Sequence, residues 1–155
     1  MTVCRVDTCA LKSLLGIEQQ PGNGEDHLQG DIALAFVQHW QVTGDLHWLK
    51  EKGFPVIEGL AQFWASRADH DPDGTWHLRN TMSPDEYSGN SSDPPYTTAV
   101  AQITLRAAVE LAPLVGKSPD LKLKTVADGL KILYDKTLDY HPEHVGYLPN
   151  QTIKQ

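Results

Sequence analysis

Residues 93–115 read DPPYTTAVAQITLRAAVELAPLV, and this stretch decides the fold class. Asp93-Pro94-Pro95 opens it. A proline is tolerated at the first helical positions because the N–H it lacks has no partner there anyway. Behind the prolines, Tyr96, Val100, Ile103, Ala107, Leu111 and Leu114 recur every three or four residues. That period puts them on one face of a helix. Downstream, Ser118-Pro119-Asp120 opens another, with Leu123, Val126, Ala127, Leu130, Leu133 and Tyr134 in helical register.

Upstream the pattern repeats. Ile32, Ala35, Phe36 and Trp40 form one face, with Asp31 placed to cap the helix. Gly44 stops it, since glycine suits the left-handed C′ position. Asp45 caps a short helix through Trp48 and Leu49, and Gly53 ends it. Pro55 opens the next, whose face is Ile57, Leu60, Ala61, Trp64 and Ala68. The spacing predicts helices over 31–43, 55–68, 96–115 and 119–134, about five in all with the short one. There is no convincing sheet, so the chain reads as all-α. The short connections imply antiparallel helical neighbours.

Between the helices the character changes. Asp69 to Gly74 (DHDPDG) is a turn cluster, and Trp76 and Leu78 alternate with His77 and Arg79 as a short extended piece. Residues 81–95 (TMSPDEYSGNSSDPP) have no period. A loop of that length inside a compact domain is often functional. Residues 1–24 are poorly patterned, and after Tyr140 the chain is irregular again; 25–155 is the span taken below as one partial domain.

Composition narrows the partners. The chain has 155 residues, enough for one domain with a core. Lys+Arg is 13 and Asp+Glu 20, a net charge of −7. That sign argues against a nucleic-acid partner and against an anionic membrane surface. The longest unbroken apolar run is Ile32 to Val37, well short of the roughly 20 residues of a bilayer span. No N-terminal stretch has the apolar centre of a secretory signal, which favours a cytoplasmic location. Cys4 and Cys9 alone make neither a zinc ribbon nor a disulfide framework.

Few residues invite chemistry. His141 and His144 form H-x-x-H around Glu143, but Pro142 breaks the helix that would align them. That stretch reads as a polar loop. No HExxH, P-loop, GxGxxG or GxSxG occurs, and neither a metal nor a cofactor is expected. The strongest local feature is Ser83-Pro84-Asp85-Glu86-Tyr87. Glycoside cleavage needs a carboxylic acid against the leaving oxygen, with a pKa raised by an apolar, partly closed site. Trp76 and Met82 upstream and Tyr87 beside it are candidates for that wall. Adjacent residues point different ways, so Asp85 and Glu86 are not two opposed catalytic carboxylates. One is suited to be the acid and the other to position a sugar hydroxyl.

Several motifs in order resemble the catalytic domain of glycoside hydrolase family 65. They are EDHLQGDIALAF at 25–36, TGDLHWL at 43–49, FWASRA at 63–68, SPDEY at 83–87, YTTAVAQ at 96–102 and IKQ at 153–155. The run GDIALAFVQHWQVTGD and the SPDEY motif most resemble the hydroxylysine-glycan glucosidase branch, with acid trehalases beside it. The resemblance implies a partial (α/α)6 barrel, the toroid of the six-hairpin glycosidases, and inversion at an α-glucosyl bond. It makes Glu86 the proton donor and Lys154 and Gln155 the holders of the cleaved sugar. His27, in the family's E-x-H stretch, becomes a substrate contact, and with Glu86 as the acid Asp85 is left as the residue that positions a sugar hydroxyl. The implied substrate is a small carbohydrate or a glycosylated hydroxylysine. The alternatives are a phosphorylase of the maltose, trehalose or kojibiose type, or a carbohydrate-binding remnant without catalysis.

The chain departs from the family pattern in two places. The Trp-Glu or Trp-Asp sugar-binding pair expected before His27 is absent, and Ser92 to Thr98 (SDPPYTT) replaces an Asn-rich stretch and Tyr-Thr-Asn. The family's barrel has twelve helices and continues past Gln155, supplying a base carboxylate or a phosphate site. The expectation is therefore about half a catalytic domain, inactive on disaccharides by itself.

Overall fold

The computed structural model describes residues 24–85 and 89–149. Its elements are α1 (His27–Thr43), α2 (Leu46–Trp48), a π-type turn (Leu49–Gly53), α3 (Phe54–Arg67), β1 (Asp69–His70), β2 (Trp76–His77), β3 (Arg79–Met82), β4 (Asn90–Ser92), α4 (Pro95–Leu111), a 3₁₀ turn (Ala112–Val115) and α5 (Leu121–Gly129). Helix α4 is central and packs against α1, α3 and α5. Residues 95–115 reach the length and apolarity of a bilayer-crossing helix, but more than half of that stretch is buried. The core joins Leu49, Phe54, Ile57, Ala61 and Trp64 to Leu78, Val100, Leu105 and Val126.

Local signals set most helix ends. Gly44 takes the left-handed conformation (φ 61°) and its N–H donates to the Trp40 carbonyl. The Asp45 carboxylate accepts from the Trp48 N–H at 2.9 Å, and Asp120 does the same for Lys122 at 2.9 Å. Gly53 does not end a helix as expected: the π-type turn runs through it directly into α3.

Helix α1 begins at His27, a turn before the expected start at Asp31. Gly30 hides this in the sequence, yet it sits where Val100 comes so close that an added Cβ would lie 2.3 Å from its Cγ2. Asp31 caps nothing. Its carboxylate accepts the Tyr96 hydroxyl at 2.6 Å. The buried face of α1 is His27, Gly30 and Ala33, not Ile32 and Ala35, which are exposed.

Helix α4 buries more than the expected stripe. Val100, Ala107 and Leu111 are inside, but so are Thr97, Thr98, Ala101, Thr104 and Leu105, while Tyr96, Ile103 and Leu114 are exposed. A helix with neighbours on three sides cannot present one narrow apolar face.

Helix α5 stops at Gly129, short of the expected 134. The Trp76 ring occupies the space beside Gly129, where a Cβ would lie 2.3 Å from its Cδ1. The chain then runs extended. The Lys131 N–H donates to the Trp76 carbonyl at 3.0 Å, and Gln102 Nε2 donates to the Leu130 carbonyl at 3.1 Å. Tyr134 is consequently exposed.

The aperiodic segment also holds short antiparallel ribbons. β1 pairs with β2 (Asp69↔His77, His70↔Trp76), and β3 pairs with β4 (Arg79↔Ser92, Thr81↔Ser91, Met82↔Asn90). An irregularity falls at Asn80, whose φ is 52°.

Candidate active site

In the chain the SPDEY motif falls between β3 and β4, and the structure describes its first three residues. Ser83 is buried at its root, Pro84 is exposed and Asp85 is half-buried. Glu86 lies outside the described residues, as do Lys154 and Gln155. The described residues show what fixes the loop and what surrounds it.

Three sets of polar contacts hold the hairpin base. The Gly24 carbonyl accepts from Thr81 Oγ1 at 2.9 Å and from the Met82 N–H at 2.8 Å, which brings the start of α1 against β3. Arg67, at the end of α3, donates from Nε to Asp26 at 2.8 Å. Its Nη2 donates to the carbonyls of Arg79 at 2.6 Å and Asn80 at 2.9 Å. Five donors in a rigid fork suit Arg67 to binding three acceptors on two segments.

The third set is centred on Asp93. Its carboxylate accepts from the Leu78 N–H at 3.0 Å and lies 2.7 Å from His77 Nδ1. His77 Nε2 faces Asp71 at 3.5 Å, and Asp71 accepts from Arg79 Nη2 at 2.7 Å. The Arg79 guanidinium bonded to Asp71 holds that carboxyl below the usual carboxylate value.

Residues 140–147 cross the hairpin from the other side. Ser83 Oγ donates to Glu143 Oε1 at 2.5 Å, and the Val145 N–H donates to the Ser92 carbonyl at 3.3 Å. Between this segment, Ser83-Pro84 and Pro94-Pro95-Tyr96 lies an open recess of about 300 Å³, also lined by Tyr140, His141 and Tyr147. His27 is buried at the head of α1, its ring edge-on to Tyr96 with centroids 6.1 Å apart. His27 Nδ1 has no hydrogen-bond partner among the described residues. The Tyr96 hydroxyl proton is held by Asp31, which raises its pKa above the usual tyrosine value.

Neither Asp85 nor His27 lines the recess itself: Asp85 follows Ser83 and Pro84 of its wall in sequence, and His27 packs on Tyr96, another wall residue. Trp76, expected in the acid's wall, has its ring against His70 at 4.5 Å and beside Gly129, and it does not line the recess. The apolar groups beside the loop are Pro84, Pro94, Pro95 and Tyr96. His141 Nδ1 is bonded to the Leu133 carbonyl, and His144 Nδ1 lies 3.0 Å from the Val145 carbonyl. Among the described residues no three His, Cys, Asp or Glu side chains converge on a metal position.

Two residues had no role in the sequence reading. Arg67 lies inside the motif FWASRA, where its charge at a helix end was the only signal. Glu143 stood in a polar loop 60 residues from its partner, with no signal at all.

The chain belongs to glycoside hydrolase family 65. The family model described as "Glycosyl hydrolase family 65 central catalytic domain" matches residues 9–144. A protein-glucosylgalactosylhydroxylysine glucosidase of Danio rerio is 39% identical over 133 residues, covering 84% of this chain and 20% of its own. That of Dictyostelium discoideum is 37% identical over 135 residues, covering 84% of this chain and 19% of its own. A kojibiose hydrolase of Flavobacterium johnsoniae is 36% identical over 146 residues, covering 90% and 21%. The chain spans about a fifth of the length of these relatives. A solved structure described as "Putative kojibiose phosphorylase from human microbiome" superposes with a TM-score of 0.66 at 19% identity, over 76% of this chain and 20% of that one. That likeness is one of fold, and it accords with the expected all-α class and a partial (α/α)6 barrel.

Proposed function

We propose that this chain is part of an inverting glycoside hydrolase that cleaves an α-glucosyl bond, on a glucosyl-galactosyl-hydroxylysine or trehalose-like substrate. Glu86 is the proton donor. Lys154 and Gln155 hold the cleaved sugar, and His27 and Asp85 contact substrate. The observation that supports this reading is an aromatic, proline-lined recess whose wall includes Ser83 and Pro84, the first two residues of the SPDEY motif, in a chain of this family. Apolar walls with a few convergent polar groups suit a sugar ring, whose faces are C–H and whose rim is hydroxyl. They also favour a protonated carboxyl, as a general acid requires.

The test is Glu86→Gln in an active protein that contains this segment. Glutamine keeps the shape but delivers no proton. Turnover on a sugar leaving group should fall about 10²–10⁴-fold, while an α- or β-glucosyl fluoride of the productive anomer, which needs no protonation, is largely spared. Equal loss on both substrates, or none on either, would sink the assignment and make Asp85 the next residue to test. Cleavage that requires inorganic phosphate and yields a sugar phosphate would move the reading to a phosphorylase.

A further inference from the structure

We propose that Glu143 is a positioning residue for the loop that carries the candidate acid, acting through Ser83 on the peptide N–H of Asp85. The inference starts from the single proton of the Ser83 hydroxyl. Among the described residues two oxygens compete for it: Glu143 Oε1 at 2.5 Å and the Asp85 carbonyl at 3.4 Å. A hydroxyl donates to the nearer, ionised oxygen, because charge-assisted bonds are shorter and roughly twice as strong. That choice turns a lone pair of Oγ toward the Asp85 N–H, which donates to it at 3.2 Å. The result is a directed chain, Asp85 N–H to Ser83 O–H to the Glu143 carboxylate, beginning one residue before Glu86.

Burial gives the chain its strength. Ser83 is 1% exposed and Glu143 half-buried, so water does not readily replace the hydroxyl, and a bond to a partly shielded carboxylate is stronger than one at the open surface. The same strap is fastened to the opposite strand, where the Val145 N–H donates to the Ser92 carbonyl at 3.3 Å. Residues 143–145 therefore grip both legs of the hairpin. Removing Glu143 frees the loop root on one side only.

The importance of the latch for catalysis rests on Glu86 being the proton donor; the latch itself does not. The experiment is amide hydrogen exchange at Asp85 in the 155-residue chain, comparing Ser83→Ala, Glu143→Ala, the double variant and Glu143→Gln. Each alanine variant should speed exchange of the Asp85 amide about tenfold or more, the weight of a bond to a charged group. The double variant should be no faster than the faster single one. Amides of residues 100–108 in α4 should keep their rates. Glu143→Gln retains an acceptor oxygen and should recover most of the protection.

Unchanged Asp85 exchange in Glu143→Ala would overturn the proposal, and so would additive effects in the double variant. Equal acceleration in α4 would also overturn it, by making Glu143 a stability residue alone. A kinetic arm separates this from the donor reading. In an active protein containing the segment, Glu143→Ala should lower kcat with KM little changed. A latch seen by exchange beside a Glu86→Gln variant of full turnover would refute the donor and leave the latch standing.

Discussion

Asp93 and His77 meet at 2.7 Å, with side chains only 3% and 12% exposed. The pair closes the base of the β3–β4 hairpin, because the same carboxylate also accepts from the Leu78 N–H at 3.0 Å. Asp93 holds this position with φ at 52°, a left-handed conformation that Asp and Asn tolerate better than most residues. Asp93→Ala removes both acceptors and the conformational fit. It should destabilise the chain by about 3 kcal/mol, as when one partner of a buried pair is lost. Asp93→Asn keeps an acceptor for Leu78 and the backbone tolerance, so urea unfolding should place it between the two.

Gly30 meets Val100 at the crossing of α1 and α4, and an added Cβ would come within 2.3 Å of Cγ2. Gly30→Ala improves helix propensity by up to about 1 kcal/mol. It also overpacks the crossing, at a cost of about 1–3 kcal/mol. The net result should be a lower urea midpoint. Adding Val100→Ala should recover part of it, a coupling that a double-mutant cycle reads directly. A higher midpoint for Gly30→Ala would show that the two helices separate without penalty.

Trp64 is fully buried, and its Nε1 has no hydrogen-bond partner among the described residues. Trp64→Ala should cost about 3–5 kcal/mol. Trp64→Phe should cost clearly less, because it removes a buried donor that has no described partner as well as some apolar volume. Equal losses for the two variants in chemical denaturation would contradict that account.

Stability should fall in acid. A hydrogen bond from Arg79 lowers the pKa of Asp71, and one from Lys124 lowers that of Asp128, both from 3.8. A carboxyl with a depressed folded pKa contributes stability above its unfolded value and loses it as pH falls through the folded one. The melting temperature should therefore decline as pH drops below about 4. Arg79→Gln and Lys124→Gln should each flatten the decline, and added salt should flatten it too, since these pairs are exposed. An acid limb identical in both variants would place its origin elsewhere.

The sequence by itself determined what depends on neighbours within one helical turn. Gly44 stops α1, Asp45 and Asp120 cap, Pro55 and Pro95 sit in the first turns of their helices, and Trp64 lies in the core. The ordered motifs also carried the family, because side chains are read directly from sequence. Tertiary structure alone decided where α1 begins, since Arg67 claims Asp26 across 41 residues and Tyr96 claims Asp31 across 65. It decided that α5 ends at Gly129, where the Trp76 ring fills the space a Cβ would need. It decided that α4 buries three threonines and leaves Tyr96 and Ile103 outside, because neighbours on three sides override a single apolar stripe. The site divides in the same way. The SPDEY motif was legible as chemistry, but the contacts that hold its loop, Arg67 to the β3 carbonyls and Glu143 to Ser83, join segments 12 to 60 residues apart. Local propensity carries no information about such partners, which folding selects by bringing their segments together.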